Sequence, residues 1–328
     1  MSALAPVGSR LTVLFVGGLG RSGSTLINRM LGQLPGLVSV GEVREVWERG
    51  FQRNHLCGCG EPFRQCRFWS AVTREAFGDL PSADAERIVA LKDIWDRHRF
   101  APLFVLPRLR PAAHRAAIRE YAAHLGRLLR AVAAVSGAAV VVDSSKTPAH
   151  LVALAELDDV DVHVIHLVRD PRAVAHSWRR TMRRPDAHAA EEYFPRVHPA
   201  RTALLWAGIN VLLWCQRRTV RSYRRLRYED LMRDPAALVD IVSGLCGPLA
   251  AMSAARGGNV YLDVHHNIAG NPVKFRTGAI PVRVDAAWTV EMPRAARVLV
   301  AALTWPLLLA YGYSMRGVED ARATSATE

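Results

Sequence analysis

The stretch LTVLFVGGLGRSGSTLINRML, residues 11–31, decides the fold. Residues 11–16 form a short apolar run rich in β-branched side chains, which is typical of a buried strand. A glycine-rich turn over residues 17–22 follows, and from Gly23 the apolar residues recur at helical spacing. A strand, a glycine turn and a helix N-terminus form an anion site, because free backbone N–H groups and the positive end of the helix dipole point at one place. Glycine also lets a phosphate approach the backbone closely.

Residues 18–25, which we call the anion loop, read GLGRSGST and resemble the nucleotide P-loop GxxxxGK[ST]. Both glycines and the final hydroxyl match, but Ser24 stands where that motif has the lysine that contacts the β- and γ-phosphates. Arg21 supplies a cation inside the loop instead. The loop therefore favours a 5′-phosphate that carries something other than a triphosphate chain. A glycine turn without a ligand is the alternative, and the strand, the arginine and the hydroxyls together argue against it.

The composition is that of a soluble globular protein with an excess of positive charge. The chain has 328 residues, 50% hydrophobic and 22% charged, and its 43 Lys and Arg against 30 Asp and Glu give a formal net charge of +13. This balance favours a polyanion, an anionic cofactor or a membrane surface as partner. We see no domain boundary, and we expect a single domain over residues 1–328, with an ordered core over about residues 10–315 and a tail over residues 317–328.

No targeting or membrane-spanning segment is predicted. Residues 11–16 are too short for the apolar region of a signal peptide and run directly into the anion loop. Residues 298–313 are the best candidate for a span, but they fall short of the ~20 apolar residues required, and Pro306 interrupts them. We expect a buried terminal helix there and a cytoplasmic location for the chain.

Strands alternate with helices along the chain, which predicts a parallel sheet with its ligand at the carboxyl ends of the strands. Residues 138–143 and 160–168 read as buried strands that end in polar residues, and residues 223–228 as a shorter strand. Helices are predicted over residues 68–77, 84–97, 112–136, from 172 onward, 200–220, 235–245 and 291–309, and a strand end leading into a helix over residues 40–50. Residues 257–283 show no clear period. The predicted fold class is α/β, a P-loop-like parallel sheet flanked by helices.

Three motifs, in this order, resemble the sulfotransferases that use 3′-phosphoadenosine 5′-phosphosulfate (PAPS). They are the anion loop, HLVRDPRAVAHSW over residues 166–178 and RYEDLMRDP over residues 227–235. Each motif alone is weak, and the specificity of the match lies in their order and spacing. Bacterial members and the Golgi carbohydrate and tyrosylprotein type are the most similar. The resemblance implies the sulfotransferase fold and transfer of a sulfuryl group from PAPS to a hydroxyl of a glycan, lipid or small-molecule acceptor, with PAP as product.

The resemblance also implies which residues hold the nucleotide. The 5′-phosphosulfate would be bound by Gly20, Arg21, Ser22, Gly23, Ser24 and Thr25. Arg169, a forked cation at a strand end, and Ser177 in the following helix would bind the 3′-phosphate. A local ion pair between Arg169 and Asp170 is the alternative. Tyr228 would lie near the adenine or, alternatively, in the core. Residues 266–276, HNIAGNPVKFR, resemble the family's late basic loop over the 3′-phosphate, and we call them the late loop. Lys274 and Arg276 are its candidate ligands, unless they are solvated surface cations.

The acceptor hydroxyl has a high pKa and needs a base as it attacks sulfur, a contribution of roughly 10²–10⁴-fold. In the carbohydrate and tyrosine sulfotransferases this base is a glutamate after a glycine, downstream of the anion loop, and Gly41-Glu42 matches that description. Glu45, one turn later, is the second candidate. The cytosolic steroid and phenol enzymes use a histidine, and no motif singles one out here; His166 and His198 are the next candidates.

Cations are expected to stabilise the transition state. The migrating sulfuryl group carries less charge than a phosphoryl group, so Arg and Lys can neutralise it without Mg²⁺. Arg21 is one such cation. Lys146, in DSSKTP at the end of the second predicted buried strand, is the other, over the bridging oxygen. A solvent-facing loop lysine is the alternative for Lys146.

Residues 55–68, HLCGCGEPFRQCRF, form a compact segment that we call the cysteine loop. It holds three of the five cysteines, Cys57, Cys59 and Cys66. Together with His55 they are compatible with a zinc site, although the spacing is not that of a standard finger. A disulfide, disfavoured in a reducing cytoplasm, and a purely structural loop are the alternatives. Cys215 and Cys246 are expected in the core. No metal ligand is assigned from the sequence.

Two other classes of function remain open at this point. A P-loop kinase or NTPase would need the lysine that Ser24 replaces and an aspartate for Mg²⁺, which is not evident. A nucleic-acid-binding protein would suit the charge, but the arginines are scattered over helices without a reading motif, and we expect no nucleic-acid partner. The acceptor pocket is expected from residues 98–110 and 186–199. Peripheral membrane contact is compatible with the charge, and the oligomeric state is not predicted.

Overall fold

A five-stranded parallel sheet lies at the centre of the computed structural model, which describes residues 10–78, 82–187, 191–247, 255–256 and 259–315. The strand order is β2-β3-β1-β4-β5. The strands are β1 (Leu11–Gly17), β2 (Leu37–Gly41), β3 (Val140–Lys146), β4 (Val160–Val168) and β5 (Ser222–Arg227). A small antiparallel sheet has the order β6-β7-β8, with β6 (Ala255–Arg256), β7 (Asn259–Leu262) and β8 (Gly278–Pro281).

Helices connect the strands. They are α1 (Ser24–Leu31), α2 (Arg67–Phe77), α3 (Ser82–Trp95), α4 (Ala101–Val105), α5 (Ala112–Ser136), α6 (Pro148–Ala155), α7 (Pro171–Arg179), α8 (Pro199–Cys215), α9 (Tyr228–Arg233), α10 (Ala237–Cys246), α11 (Trp288–Glu291) and α12 (Arg294–Ala310). Short 3₁₀ turns occupy Val43–Glu45, His98–Phe100, Pro107–Leu109, Gln216–Arg218 and Pro272–Phe275, and a π-helical stretch occupies Val46–Gln52.

The central strand β1 is apolar and buried from Val13 to Val16 because both faces of the sheet are covered. Successive side chains of β1 point to opposite faces, so Val13 and Phe15 pack into one core cluster, whereas Leu14 and Val16 pack into another. The first cluster includes the buried stripe of α5, and the second includes the inner face of α1. Each such large apolar side chain contributes roughly 1.5–3 kcal/mol on burial, which fixes the register of the strands.

The carboxyl ends of β1, β2 and β3 meet at one edge of the sheet. Gly17 is paired with Lys146, and the amide of Gly18 donates to the carbonyl of Lys146 at 3.1 Å. Gly41 is paired with Asp143, and both ladders are irregular at these last residues. The anion loop, Glu42 and Lys146 therefore all lie at the same edge of the sheet.

Several predicted elements are confirmed by the structure. The predicted strand over residues 160–168 and the predicted helix over residues 112–136 match β4 and α5 at both ends. Gly137 ends α5 in the left-handed conformation, with φ 67°, as glycine commonly does after a helix. The helix predicted from residue 172 is α7, which Asp170 caps by accepting the amide hydrogen of Arg172 at 2.8 Å.

Other predictions need correction. Residues 257–283, read without a regular element, contain β7 and β8. The helix expected within residues 40–50 is a 3₁₀ turn followed by π-helical backbone, and α6 was not predicted. The terminal helix, α12, is buried on one face only, with Val298, Trp305 and Leu309 at least half exposed. The predicted tail over residues 317–328 lies outside the described residues. None of the helices in the described part of the chain is both long and apolar enough to cross a membrane.

Candidate active site at the carboxyl edge of the sheet

The anion loop is shaped for a ligand that accepts hydrogen bonds. Gly23 precedes α1 with φ 90°, and no side chain in the described ranges caps the helix. The hydroxyl oxygens of Ser22 and Ser24 are buried, and neither has a hydrogen-bond partner among the described residues. A buried polar group without a partner costs roughly 1–3 kcal/mol, so the free protein holds these hydroxyls at a cost that a bound anion would remove. Thr25 differs, because its hydroxyl accepts the amide hydrogen of Asn271 at 3.2 Å.

Arg21 is held over the loop by contacts from three segments. Its backbone is left-handed, with φ 74°. Its guanidinium lies 4.2 Å from the ring centre of Phe194 and 5.2 Å from that of Trp178, and donates to Oδ1 of Asn271 at 2.5 Å. Burial lowers the pKa of Arg21 to about 10, although the carboxylate of Glu42 acts in the opposite direction. The Arg21 side chain therefore stays cationic at neutral pH and is attracted to the carboxylate of Glu42.

Arg169 lies beside the anion loop at the end of β4. It donates to the carbonyl of Arg21 at 2.9 Å and pairs with the half-exposed Asp285 at 3.0 Å, while its Nε is buried with no hydrogen-bond partner in the described part of the chain. Its guanidinium stands 4.6 Å from the ring centre of Tyr228, and that ring packs against Gly23, where an added Cβ would come within 2.5 Å of it. The structure thus brings Arg169, Tyr228 and the anion loop together.

Three other residues considered for this side of the site are Asp170, Ser177 and Tyr228. Asp170 pairs with Arg172 at 2.7 Å, so the alternative of a local pair between Arg169 and Asp170 is wrong. Ser177 is half-buried near the end of α7, and within the described chain it makes no hydrogen bond to Arg169. Tyr228, predicted at a strand end, is the first residue of α9.

Glu42 and Lys146 form an ion pair at the same edge. The carboxylate of Glu42 contacts the ammonium of Lys146, and the two side chains are 19% and 11% exposed, so the pair borders solvent without being immersed in it. The amide of Glu42 donates to the carbonyl of Ile268 in the late loop at 2.9 Å. Gly41 allows this approach, because its φ is 80° and an added Cβ would lie 2.3 Å from the same carbonyl oxygen. The glycine before Glu42 is thus required by the backbone contact that positions it.

A buried carboxylate that the sequence analysis did not single out supports this pair. Asp143, in the middle of β3, accepts from the amide of Ser145 at 2.8 Å and from His150 Nε2 at 2.7 Å. The hydroxyl of Ser145 in turn accepts the amide hydrogen of Arg44 at 2.9 Å. These bonds fix the backbone just after Glu42 against the strand that carries Lys146. The sequence feature that could have singled out Asp143 is its position at the end of the predicted strand over residues 138–143, directly before SSK.

Glu45, the second candidate base, is engaged elsewhere. Its carboxylate pairs with Arg44 at 2.5 Å and with Arg49 at 2.9 Å. Burial alone would raise the pKa of Glu45, but the guanidiniums of Arg49 and Arg44 outweigh it and lower that pKa to about 2. A carboxylate with so low a pKa takes up a proton poorly at neutral pH.

The late loop contributes residues other than the two predicted cations. Lys274 is fully buried, donates to the carbonyl of Leu56 at 2.9 Å and lies 3.4 Å from Asp186, so its ammonium is not presented to the anion loop. Arg276 is exposed, and its carbonyl accepts a hydrogen bond from Arg29. The contacts to the site instead come from Ile268 and Asn271, which the sequence analysis did not name.

The two histidines considered as bases are placed as follows. His166 is buried in β4, and its ring bonds to the Tyr223 hydroxyl and to Oδ1 of Asn210 at 2.6 Å. Burial lowers the pKa of His166 to about 4, despite the Asn210 bond, so the ring is a neutral member of a core network. His198 caps α8 by accepting the amide hydrogen of Ala200 at 3.3 Å.

Comparison with known proteins agrees with this geometry. A profile described as the sulfotransferase family matches residues 14–247, well over half of the chain. The chain therefore belongs to the sulfotransferase family, and the predicted family is confirmed.

Two solved structures are similar in fold. The sulfotransferase domain of the olefin synthase from Synechococcus PCC 7002 has a TM-score of 0.50 and 20% identity, covering 94% of this chain and 98% of that one. The sulfotransferase domain of the curacin biosynthetic pathway has a TM-score of 0.49 and 16% identity, covering 94% and 99%. At such identity the first of these shows the fold alone, and it confirms the predicted α/β class. No curated protein matches the chain significantly.

Proposed function

We propose that this protein transfers a sulfuryl group from PAPS to the hydroxyl of an acceptor, with Glu42 as the base. The observation that carries the proposal is the pair of buried, unpartnered hydroxyls of Ser22 and Ser24 at the N-terminus of α1, beside Arg169. A nucleotide phosphosulfate fits these residues, because its oxygens accept hydrogen bonds and its charge is negative.

Different residues of the chain would bind different parts of the nucleotide. The anion loop, with Arg21, would hold the 5′-phosphosulfate. Arg169 would hold the 3′-phosphate, since its Nε has no partner among the residues that the structure describes and its carboxylate partner Asp285 is half-exposed, so that a phosphate can take the place of Asp285. Tyr228 would border the adenine from its position against Gly23 and Arg169. Ser177 and Arg276 stay as further candidates for the 3′-phosphate. The burial of Lys274 argues for a structural role instead.

Bound PAPS supplies the sulfuryl group, with PAP as its leaving group. Glu42 accepts the proton of the acceptor hydroxyl, because its carboxylate lies beside Lys146 at the edge where the anion loop begins, and its backbone amide is fixed by the carbonyl of Ile268. Lys146, in contact with Glu42, and Arg21 place two positive charges at the same edge. Fixed cations of this kind stabilise charge that develops in a transition state without any reorganisation. Glu45 is less suited as the base, since two arginines already hold it.

The acceptor is expected to be a glycan, lipid or small molecule that carries a hydroxyl. Phe194 belongs to the segment proposed for the acceptor pocket, and its ring packs against the Arg21 guanidinium at the anion loop. An acceptor bound by that segment would therefore lie next to the site of transfer. We also propose that transfer takes place in the cytoplasm and that nucleic acid is not a partner.

The test has two parts. The melting temperature is measured with PAP, ATP and duplex DNA in turn, and PAP alone is expected to raise it, because a ligand that binds only the folded state stabilises it. Labelled PAPS is then incubated with the protein and extracts of glycans, lipids and small molecules, and label is expected in one acceptor fraction. A shift with ATP but not PAP would contradict the proposal and favour a phosphotransferase.

A further inference from the structure

Three cysteines and a histidine from distant parts of the chain meet beneath the active-site edge. The cysteines are those of the cysteine loop, and the histidine is His266, the first residue of the late loop. Their ligand atoms all lie within 4.8 Å of one another. Nδ1 of His266 is 3.2 Å from Sγ of Cys66 and 3.7 Å from Sγ of Cys57, and Sγ of Cys59 is 3.6 Å from Sγ of Cys66. His55, the histidine considered from the sequence, faces Asp186 and Glu192 instead.

These separations are those of a tetrahedral metal site. With Zn–S bonds of about 2.3 Å and Zn–N bonds of about 2.0 Å, the edges of a tetrahedron are roughly 3.5–3.8 Å long. The measured separations of 3.2, 3.6 and 3.7 Å lie close to this range. A disulfide would need sulfurs about 2.05 Å apart, and all three cysteines of the loop are free.

The surroundings are built to hold the four groups in place. The ring of Phe68 stacks on that of His266 at 4.8 Å, and the indole N–H of Trp69 donates to the His266 carbonyl at 2.8 Å. Gly58 lets the cysteine loop lie directly on the late loop, since an added Cβ would come within 2.4 Å of the His265 carbonyl oxygen. Partners of this kind orient the ligands of a metal.

We propose that Cys57, Cys59, Cys66 and His266 bind one zinc ion. Three thiolates and one imidazole complete a four-coordinate shell, which leaves no position for substrate, so the ion is structural rather than catalytic. Soft thiolate ligands in tetrahedral geometry select Zn²⁺ over Mg²⁺ or Ca²⁺.

The ion would anchor the late loop over the active site. Ile268, two residues after His266, accepts the amide hydrogen of Glu42 at 2.9 Å, and Asn271 accepts from Arg21 at 2.5 Å. The amide of Gly58 also donates to the Asn267 carbonyl at 3.0 Å. The zinc site thus fixes the end of the segment that positions both Glu42 and Arg21, although it touches neither. This inference does not depend on the identity of the donor or acceptor.

The metal content of the wild-type protein is the direct test. The untagged full chain is purified without chelators, and metals are measured by inductively coupled plasma mass spectrometry. About one zinc per chain is expected, and Co²⁺ exchanged into the site should give the intense visible absorption and thiolate charge-transfer bands of a tetrahedral thiolate complex. A zinc content near zero together with no Co²⁺–thiolate spectrum would overturn the proposal, as would a disulfide among these cysteines in the non-reduced peptide map.

Matched variants locate the ion. Cys66→Ser should lose at least about nine-tenths of the zinc and lower the melting temperature, because binding to a site that exists only in the folded state stabilises that state. Cys215, expected in the core from the sequence, is exposed in the structure and lies outside the cluster, so Cys215→Ser should keep both values. Full zinc content in Cys66→Ser would contradict the assignment. If that variant does not fold, the wild-type metal content and Co²⁺ spectrum still decide the question.

Discussion

Replacing Glu42 by glutamine tests the proposed base with little change of shape. The amide keeps the size of the carboxylate and can still contact Lys146, but it cannot accept a proton. The backbone of residue 42 should stay in place, because its amide bonds to Ile268 and its neighbours are fixed by Asp143 and Ser145. The variant therefore removes one function and leaves the geometry of the edge intact.

The magnitudes can be worked out separately for catalysis and stability. A positioned base contributes about 10²–10⁴-fold, or roughly 3–5 kcal/mol of transition-state stabilisation, so kcat should fall at least about 10²-fold. The partly buried ion pair with Lys146 is also lost, which we expect to cost about 1–3 kcal/mol of folding free energy and to lower Tm by several degrees. PAP affinity should not fall, because the freed ammonium of Lys146 still faces the site.

The assay compares kcat with labelled PAPS, Kd for PAP by calorimetry and Tm for the wild type, Glu42→Gln and Glu45→Gln. The Glu45 variant is the matched control, since it loses ion pairs one turn away without touching Lys146. We expect Glu45→Gln to lose stability and to keep kcat within about tenfold of the wild type. A Glu42 variant with kcat within about threefold of the wild type would refute the reasoning. Loss of activity in the Glu45 variant alone would show that Glu45, and not Glu42, is the base.

Three further predictions follow from contacts in the structure. Gly41→Ala should lower kcat at least about tenfold, because the added Cβ would lie 2.3 Å from the carbonyl oxygen of Ile268. The control is Gly36→Ala, which has the same φ of 80° but open space around it, and which should cost only about 1–2 kcal/mol of stability and leave kcat unchanged. Equal kcat values for the two variants would show that the contact between Gly41 and Ile268 does not matter for catalysis. Ser22→Ala and Ser24→Ala should each weaken PAP binding about 2–10-fold in calorimetry without lowering Tm, since these hydroxyls lack partners in the free protein; unchanged affinity would place them away from the ligand. The pKa of Glu45 is lowered from its usual 4.5 to about 2, so its stabilisation, about 3 kcal/mol, is complete above pH 4.5 and is lost as the pH falls toward 2. The free energy of unfolding of Glu45→Gln should therefore fall less between pH 4.5 and 2 than that of the wild type. Parallel curves of unfolding free energy against pH for the variant and the wild type would contradict this role of Glu45.

Local patterns were enough to predict the framework of the fold. The apolar run of β1, the glycine turn and the helical period of α1 are all contained in residues 11–31, so they can be recognised from the sequence although β1 pairs with the distant strands β3 and β4. The long helix α5 could be bounded because its apolar stripe is regular and a glycine ends it. The base candidate Glu42 was found through its glycine, whose conformation the backbone contact with the late loop requires.

Contacts between distant segments could not be predicted in the same way. From the sequence, Lys274 is a candidate ligand of the 3′-phosphate or a surface cation, and only the fold brings it to Asp186 and excludes it from solvent. His266 lies 200 residues after Cys66, so no spacing rule pairs them, and His55, the histidine inside the cysteine loop, faces Asp186 and Glu192 instead. The strands β7 and β8 are only four residues long each, too short to show a period in the sequence, and they become strands by pairing with each other in the fold.

The central claim is that Arg169 and the anion loop bind a nucleotide that carries a 3′-phosphate. The most direct measurement is isothermal titration calorimetry of PAP and AMP, which differ only in that phosphate, against the wild-type protein. A charge-assisted contact contributes about 1.5–3 kcal/mol, so PAP should bind at least about tenfold more tightly than AMP, and Arg169→Lys should reduce the difference, because lysine lacks the planar fork. Equal affinity for PAP and AMP in the wild type would contradict the account.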